Sequence, residues 1–258
     1  MSDRIETYDL REPPRIDIAT VAGDIIIKPW NKMQAKVVLS GDADTVASTR
    51  IDASADSLSI RSDPNRRSRR WFAKAMDVIV STPEGGTLRI DSSSGDIRIR
   101  VALEDVDIAS ASGSVRVDEP IGDARIKVAS GDVRVDQVRR DIEVSSANGD
   151  IRIGVARDVV LSTASGSTRL GTVEASARIR SASGDVRVRD FMGSDLTIKT
   201  MSGNATIGLA PGRVVAAEIK TMSGEFRNKI AATDGPKHGR MTLTVTSFSG
   251  DVTLRNAR

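Results

Sequence analysis

The 258-residue sequence has no cysteine, one histidine and few aromatic side chains: two Trp, one Tyr and four Phe. Without cysteine there is no disulfide, no thiolate nucleophile and no Cys-based zinc site. The single histidine, His238, cannot build a metal cluster alone, and its Gly/Pro/Lys-rich surroundings read as an exposed loop. With aromatics at 3%, a core must be assembled from Val, Ile, Leu and Ala. No apolar run approaches the ~20 residues a membrane-crossing helix needs. The start, MSDRIETYDLREPP, lacks the features of a secretory signal, which makes the cytoplasm the expected location. A charge of one sign is missing too: 38 basic residues face 35 acidic ones for a net +3. Where the charges lie therefore matters more than their sum. P-loop and Rossmann glycine patterns are also absent.

What the sequence does contain is a repeat. The stretch SASGDVRV around Gly184 has near-copies in SSSGDIRI, VASGDVRV and SANGDIRI. Anchored on Gly95, Gly113, Gly131, Gly149, Gly166, Gly184, Gly203, Gly224 and Gly250, the spacings are 18, 18, 18, 17, 18, 19, 21 and 26 residues. Two and four residues after each glycine the side chains are apolar, with Thr168 and Asn228 as the exceptions. Seven and five residues before it they are apolar without exception, from Leu88/Ile90 to Leu243/Val245. Period-two alternation rich in Val and Ile predicts strands with one buried face. A unit of about 18 residues cannot bury such strands alone, but it can when successive turns stack ~4.8 Å apart and pair with their equivalents. The fold class expected is all-β: a parallel β-solenoid with an N-terminal β cap. Residues 1–84, less regular but rich in strand patterns, form the cap, and residues 85–258 the repeats of one continuous domain.

The Ser-Gly-Asp triplet reads as a corner, with glycine supplying the backbone geometry and Ser bonding locally. A calcium-binding β-roll would need Gly-Gly-x-Gly-x-Asp at nine-residue spacing, and here one glycine serves 18 residues. Three residues after the glycines stand Arg98, Arg116, Arg134, Arg152, Arg169 and Arg187, outward on six successive turns. Like charges one strand apart repel unless compensated. The acidic column two residues earlier provides for this, as the pairs Asp96–Arg98, Asp132–Arg134, Asp150–Arg152 and Asp185–Arg187. A second basic feature, RSDPNRRSRRWF, carries Arg66, Arg67, Arg69 and Arg70 into Trp71. Both are candidate surfaces for an anionic polymer or a protein partner. No catalytic, metal-binding or cofactor-binding residue emerges, because every Asp that can be placed belongs to a column.

These same columns carry a resemblance. The segments DIATVAGDIIIKPW, MDVIVSTPEGGTLRIDSSSGDIRI and the chain of SASGDVRV turns resemble the DUF4097 family of β-strand-repeat proteins, from about Ile16 to Leu254. The resemblance implies an adhesin-like repeat protein and brings no catalytic residues with it. The function expected is a non-enzymatic scaffold that engages a protein partner or itself through an exposed last turn. The alternatives are a binder of an anionic polymer or anionic surface (polysaccharide, nucleic acid or lipid) through the Arg ladder and basic loop and, behind it, a carbohydrate-active β-helix enzyme.

Overall fold

At each repeat the chain turns on a glycine with positive φ, +115° at Gly95 and +117° at Gly166. A Cβ at either corner would run into the carbonyl of the glycine stacked beneath it, Gly23 or Gly149. The Ser-Gly corner is therefore required twice over, by the dihedral and by close stacking of backbones. The structure is a computed structural model that describes residues 2–62, 75–212, 214–230 and 239–257. It is all-β, with the single turn-and-a-half helix Ala43–Ser48 among the described residues. Two compact units divide it, residues 1–131 and 132–258.

In the first unit, Leu103–Ser112 runs parallel between Thr87–Ser94 and Ile121–Ser130, which places Ile108 beside Ile90 and Ile126. Arg15–Ala22 extends this ladder parallel to Thr87–Ser94, and Ser57–Arg61 follows it. Beyond the corner, Val115–Val117, Ile97–Ile99, Ile25–Pro29 and Met76–Thr82 form a second parallel ladder. Parallel pairing ends there: Gln34–Gly41 is antiparallel to Met76–Thr82, and Ser2–Asp9 is antiparallel to Gln34–Gly41.

The second unit repeats the scheme with two long strands, Ile151–Ser165 and Thr168–Ser183, that take part in both ladders. Its last turns depart from chain order. Arg240–Ser249 inserts between Asp195–Ser202 and Val214–Ser223, and Val252–Asn256 between Ala205–Leu209 and Phe226–Lys229. The turn on Gly250 thus lies inside, and the turn on Gly224 becomes the outer rung, whereas the spacing predicts the reverse. The reason is apolar completeness. Leu243, Val245, Val252 and Leu254 are all buried, while the Gly224 turn offers Ala217 and Asn228 at the same columns and leaves them exposed. The turn with the fuller apolar set takes the place covered on both sides.

The core is aliphatic as composition demands, with Phe191 the one fully buried aromatic ring among the described residues. Beside it runs a buried hydroxyl column three residues before the corner glycines. Ser92, Ser110, Thr163 and Thr200 each donate to the carbonyl two residues on, at 3.2–3.3 Å. The hydroxyl thus adds a second donor to a carbonyl at the bend, and the Ser165 and Ser202 carbonyls also accept the Gly149 and Gly184 N–H of the neighbouring rung.

Candidate functional site

The acidic residue after each corner has a task that periodicity does not reveal. Its Oδ1 accepts the backbone N–H of the equivalent residue on the next rung. Asp24 accepts from Asp96, Asp96 from Ser114, Asp132 from Asp150, Asp150 from Ser167 and Asp185 from Asn204, at 2.8–3.0 Å. Asn204 serves as well, its Oδ1 accepting from Asp251 at 2.9 Å. These carboxylates stitch the corners together, and each has one oxygen left for arginine.

The arginine columns form inside each unit. In the first, Arg98 lies beside Arg116. In the second, Arg134, Arg152, Arg169 and Arg187 follow one another rung by rung. Arg66, Arg67, Arg69, Arg70 and Trp71 lie outside the described residues.

Of the four expected pairs, Asp150–Arg152 forms at 3.0 Å and Asp185–Arg187 at 3.8 Å. Arg98 and Arg134 instead turn to Asp118 and Asp136, at 2.9 and 3.1 Å. Asp96 and Asp132 are aligned on backbone N–H groups, and the column two residues after the arginines presents a carboxylate on the same face. In chain order this column reads Arg100, Asp118, Asp136, Gly154, Gly171, Arg189, Gly208, Lys229 and Arg255, with no residue type held along it. The available signal was its irregularity.

In the first unit the column closes the charge. Asp118 collects Arg98, Arg116 and Arg100, the last at 3.8 Å. Partial burial would raise its carboxyl, but hydrogen bonds from Arg116 and Arg98 outweigh this and hold it below the usual range.

In the second unit the acid is lost after Asp136. Glycines occupy the next two rungs, and a Cβ at Gly154 or Gly171 would strike the carbonyl of Asp136 or Gly154. Above these glycines a groove of about 380 Å³ opens, lined by Arg134, Arg152, Arg169, Arg187, Arg189 and Arg255 with Asp136. Arg152 and Arg169 fall back on one carboxylate, Asp150, each at 3.0 Å. The Ser167 N–H does most to hold that carboxyl below its ordinary value, and Arg169 and Arg152 reinforce it against the cost of burial. Arg189 pairs with Asp190 at 2.7 Å, and Arg255 reaches only the Asn256 carbonyl, at 3.5 Å, among the described residues. Six guanidiniums therefore share four carboxylates, Asp136, Asp150, Asp185 and Asp190, around an open floor.

A second surface lies at the outer rungs. Met201, Phe248 and Met222, stacked across three adjacent strands, are 65%, 58% and 78% exposed. Val214 and Phe226 on the outer rung are also exposed.

Residues 14–255 match the family model described as Toastrack DUF4097. No curated protein matches the sequence. Among solved structures, one from Parabacteroides distasonis named "putative lipid binding protein" is 11% identical with a TM-score of 0.52, over 97% of this chain and 96% of that one. A "putative adhesin" from Bacteroides fragilis is 15% identical with a TM-score of 0.45, over 99% of this chain and 97% of that one. Another "putative adhesin", from Parabacteroides merdae, is 10% identical with a TM-score of 0.48, over 96% and 95%.

Proposed function

Since this chain belongs to the Toastrack DUF4097 family, we propose that it is a non-enzymatic β-solenoid scaffold that associates with a second copy of itself through its outer rung. One observation carries the reading. The rung of Val214–Ser223 and Phe226–Lys229 pairs on one side only among the described residues, with Arg240–Ser249 and Val252–Asn256. A free strand edge templates pairing with another chain. Columns buried elsewhere are uncovered on this rung: Ala217 is exposed where Ala177 is 4% exposed, and Phe226 is 44% exposed where Val186 is 1%. The Met201–Phe248–Met222 stripe adds apolar surface beside the edge. The use of the corner carboxylates on backbone N–H groups supports a structural rather than a catalytic role for them.

The test is the mass of the full chain in solution by light scattering across a wide concentration range. Mass rising with concentration, and falling back in a Met222→Lys/Phe226→Lys variant, supports the scaffold. Both substitutions fall on exposed positions, so the fold should tolerate them. A strict monomer at the highest concentration overturns self-association.

A second reading, capture of an anionic polymer, is favoured by the arginine groove of the second unit. There the guanidiniums outnumber the carboxylates that could quench them.

A further inference from the structure

We infer that the groove above Gly154 and Gly171 binds a linear polycarboxylate, a uronate-bearing polysaccharide, which supplies the carboxylates that the column loses after Asp136. This rests on the second reading above and names its site and ligand class.

In the first unit the same column is closed by an acid. There Asp118 sits two residues beyond the arginine and gathers Arg98, Arg100 and Arg116. Asp136 does the same for Arg134 at 3.1 Å. On the next two rungs the acid is replaced by Gly154 and Gly171, yet the arginines Arg152 and Arg169 remain. A solubility lattice alone would keep acid and base together, since unmatched like charges on adjacent strands destabilise a sheet. Here the base is kept, the acid is dropped and the space is left open.

The glycines make that opening durable. A side chain at either position would collide with the backbone of the rung below, so the space above stays clear for a ligand. Arg189 and Arg255 close the far end, on strands whose intervening rung carries a glycine, Gly208, opposite Arg255. A guanidinium offers a planar fork matched to carboxylate oxygens, and Arg152 and Arg169, sharing the single acid Asp150, have donors to spare.

Spacing and composition then select among polyanions. Arg134, Arg152, Arg169 and Arg187 follow at the rung separation of ~4.8 Å, a straight row of roughly 14 Å. An extended acidic peptide presents same-face carboxylates about 6.6 Å apart and falls out of step within two rungs. Single-stranded nucleic acid relies on aromatic platforms for its bases, and among the described residues the groove is lined by none. A chain of uronic acids carries a carboxylate on every ring, turned about the chain axis from one ring to the next, so it meets the row with every second or third carboxylate and needs no stacking surface to place it.

The experiment is binding of the full chain to polygalacturonate oligomers at low and moderate salt, measured by calorimetry. Poly-glutamate, dextran sulfate (a sulfated polysaccharide without uronate) and oligo-dT are the comparison arms. The expected result is preferential, salt-weakened binding of polygalacturonate. Arg152→Ser/Arg169→Ser should weaken it by roughly tenfold or more. Arg178→Ser/Arg180→Ser, exposed residues before the Gly184 corner and outside the groove, should leave it unchanged. Circular dichroism and the melting temperature establish that both variants are folded. Tighter binding of oligo-dT, dextran sulfate or poly-glutamate overturns the uronate assignment while leaving an anion-binding protein. Polygalacturonate binding insensitive to Arg152→Ser/Arg169→Ser overturns the groove. No binding of any polyanion at low salt overturns the second reading together with the inference.

Discussion

Asp150 accepts the Ser167 backbone N–H with Oδ1 at 3.0 Å and holds both Arg152 and Arg169 with Oδ2, each at 3.0 Å. One carboxylate thus joins two rungs through the main chain and two arginines through their side chains. Asp150→Ala should cost about 1–2 kcal/mol, because the Ser167 N–H loses its acceptor in a partly buried corner. Asp150→Asn should cost less, since Asn204 shows an amide oxygen accepting the equivalent N–H of Asp251. Urea denaturation of the two variants checks the order, and equal losses would count against the ladder.

The glycines with positive φ should divide into two classes. At Gly166 the φ is +117° and a Cβ would meet the Gly149 carbonyl, so Gly166→Ala carries both strain and collision. Its expected cost is about 2–4 kcal/mol. Gly239 has φ +79° with nothing within 4 Å of its Cβ position, so Gly239→Ala bears strain alone, about 1 kcal/mol. Melting temperatures of the two variants should differ in that direction.

Acid should loosen both units. Asp150 is held low chiefly by the Ser167 N–H and then by Arg169, while Asp118 is held low by Arg116 and Arg98 despite its partial burial. A carboxyl with a depressed folded value contributes stability that is complete above its unfolded value of about 3.9 and is lost as pH falls through the folded one. Thermal unfolding followed from pH 6 downward should show a fall in melting temperature beginning near pH 4. An Asp118→Asn/Asp150→Asn variant should start less stable and show a shallower fall.

Tyr8, the sole tyrosine, is pushed up to about 12 by burial and by its hydrogen bond to Glu6. That bond is also the main cause lowering the Glu6 carboxyl. Phenolate absorbance should titrate in one step near pH 12, and Glu6→Gln should bring the midpoint part of the way back. The raised value means that stability from this contact is present below pH 10, the ordinary tyrosine value, and is lost as pH rises toward the folded one. A midpoint near 10 in the native chain would contradict the contact.

Much of this architecture was legible from residue columns. The paired apolar positions around each glycine reappear as buried residues in parallel register, from Leu88/Ile90 through Leu196/Ile198. Even the exceptions were informative: Thr168 is buried as its column requires, and Asn228 lies on the outer rung, where its column is uncovered. The carboxylate ladder was not legible as such, since its partners are backbone N–H groups 17 to 19 residues away within the regular turns. The groove escaped because it is made by what Gly154 and Gly171 lack, and by Arg189 and Arg255, which belong to no regular column.

The sequence by itself determined the repeat unit, the corner, the faces of its strands and an aliphatic core, because those follow from alternation and from glycine's backbone freedom. Only the tertiary structure decided that the Gly250 turn lies inside the Gly224 turn, that Arg98 and Arg134 turn to Asp118 and Asp136, and that a groove opens over two glycines. Those outcomes depend on what lies one rung away across the ladder. Burial competition and charge pairing act between strands there, at distances that spacing along the chain does not encode.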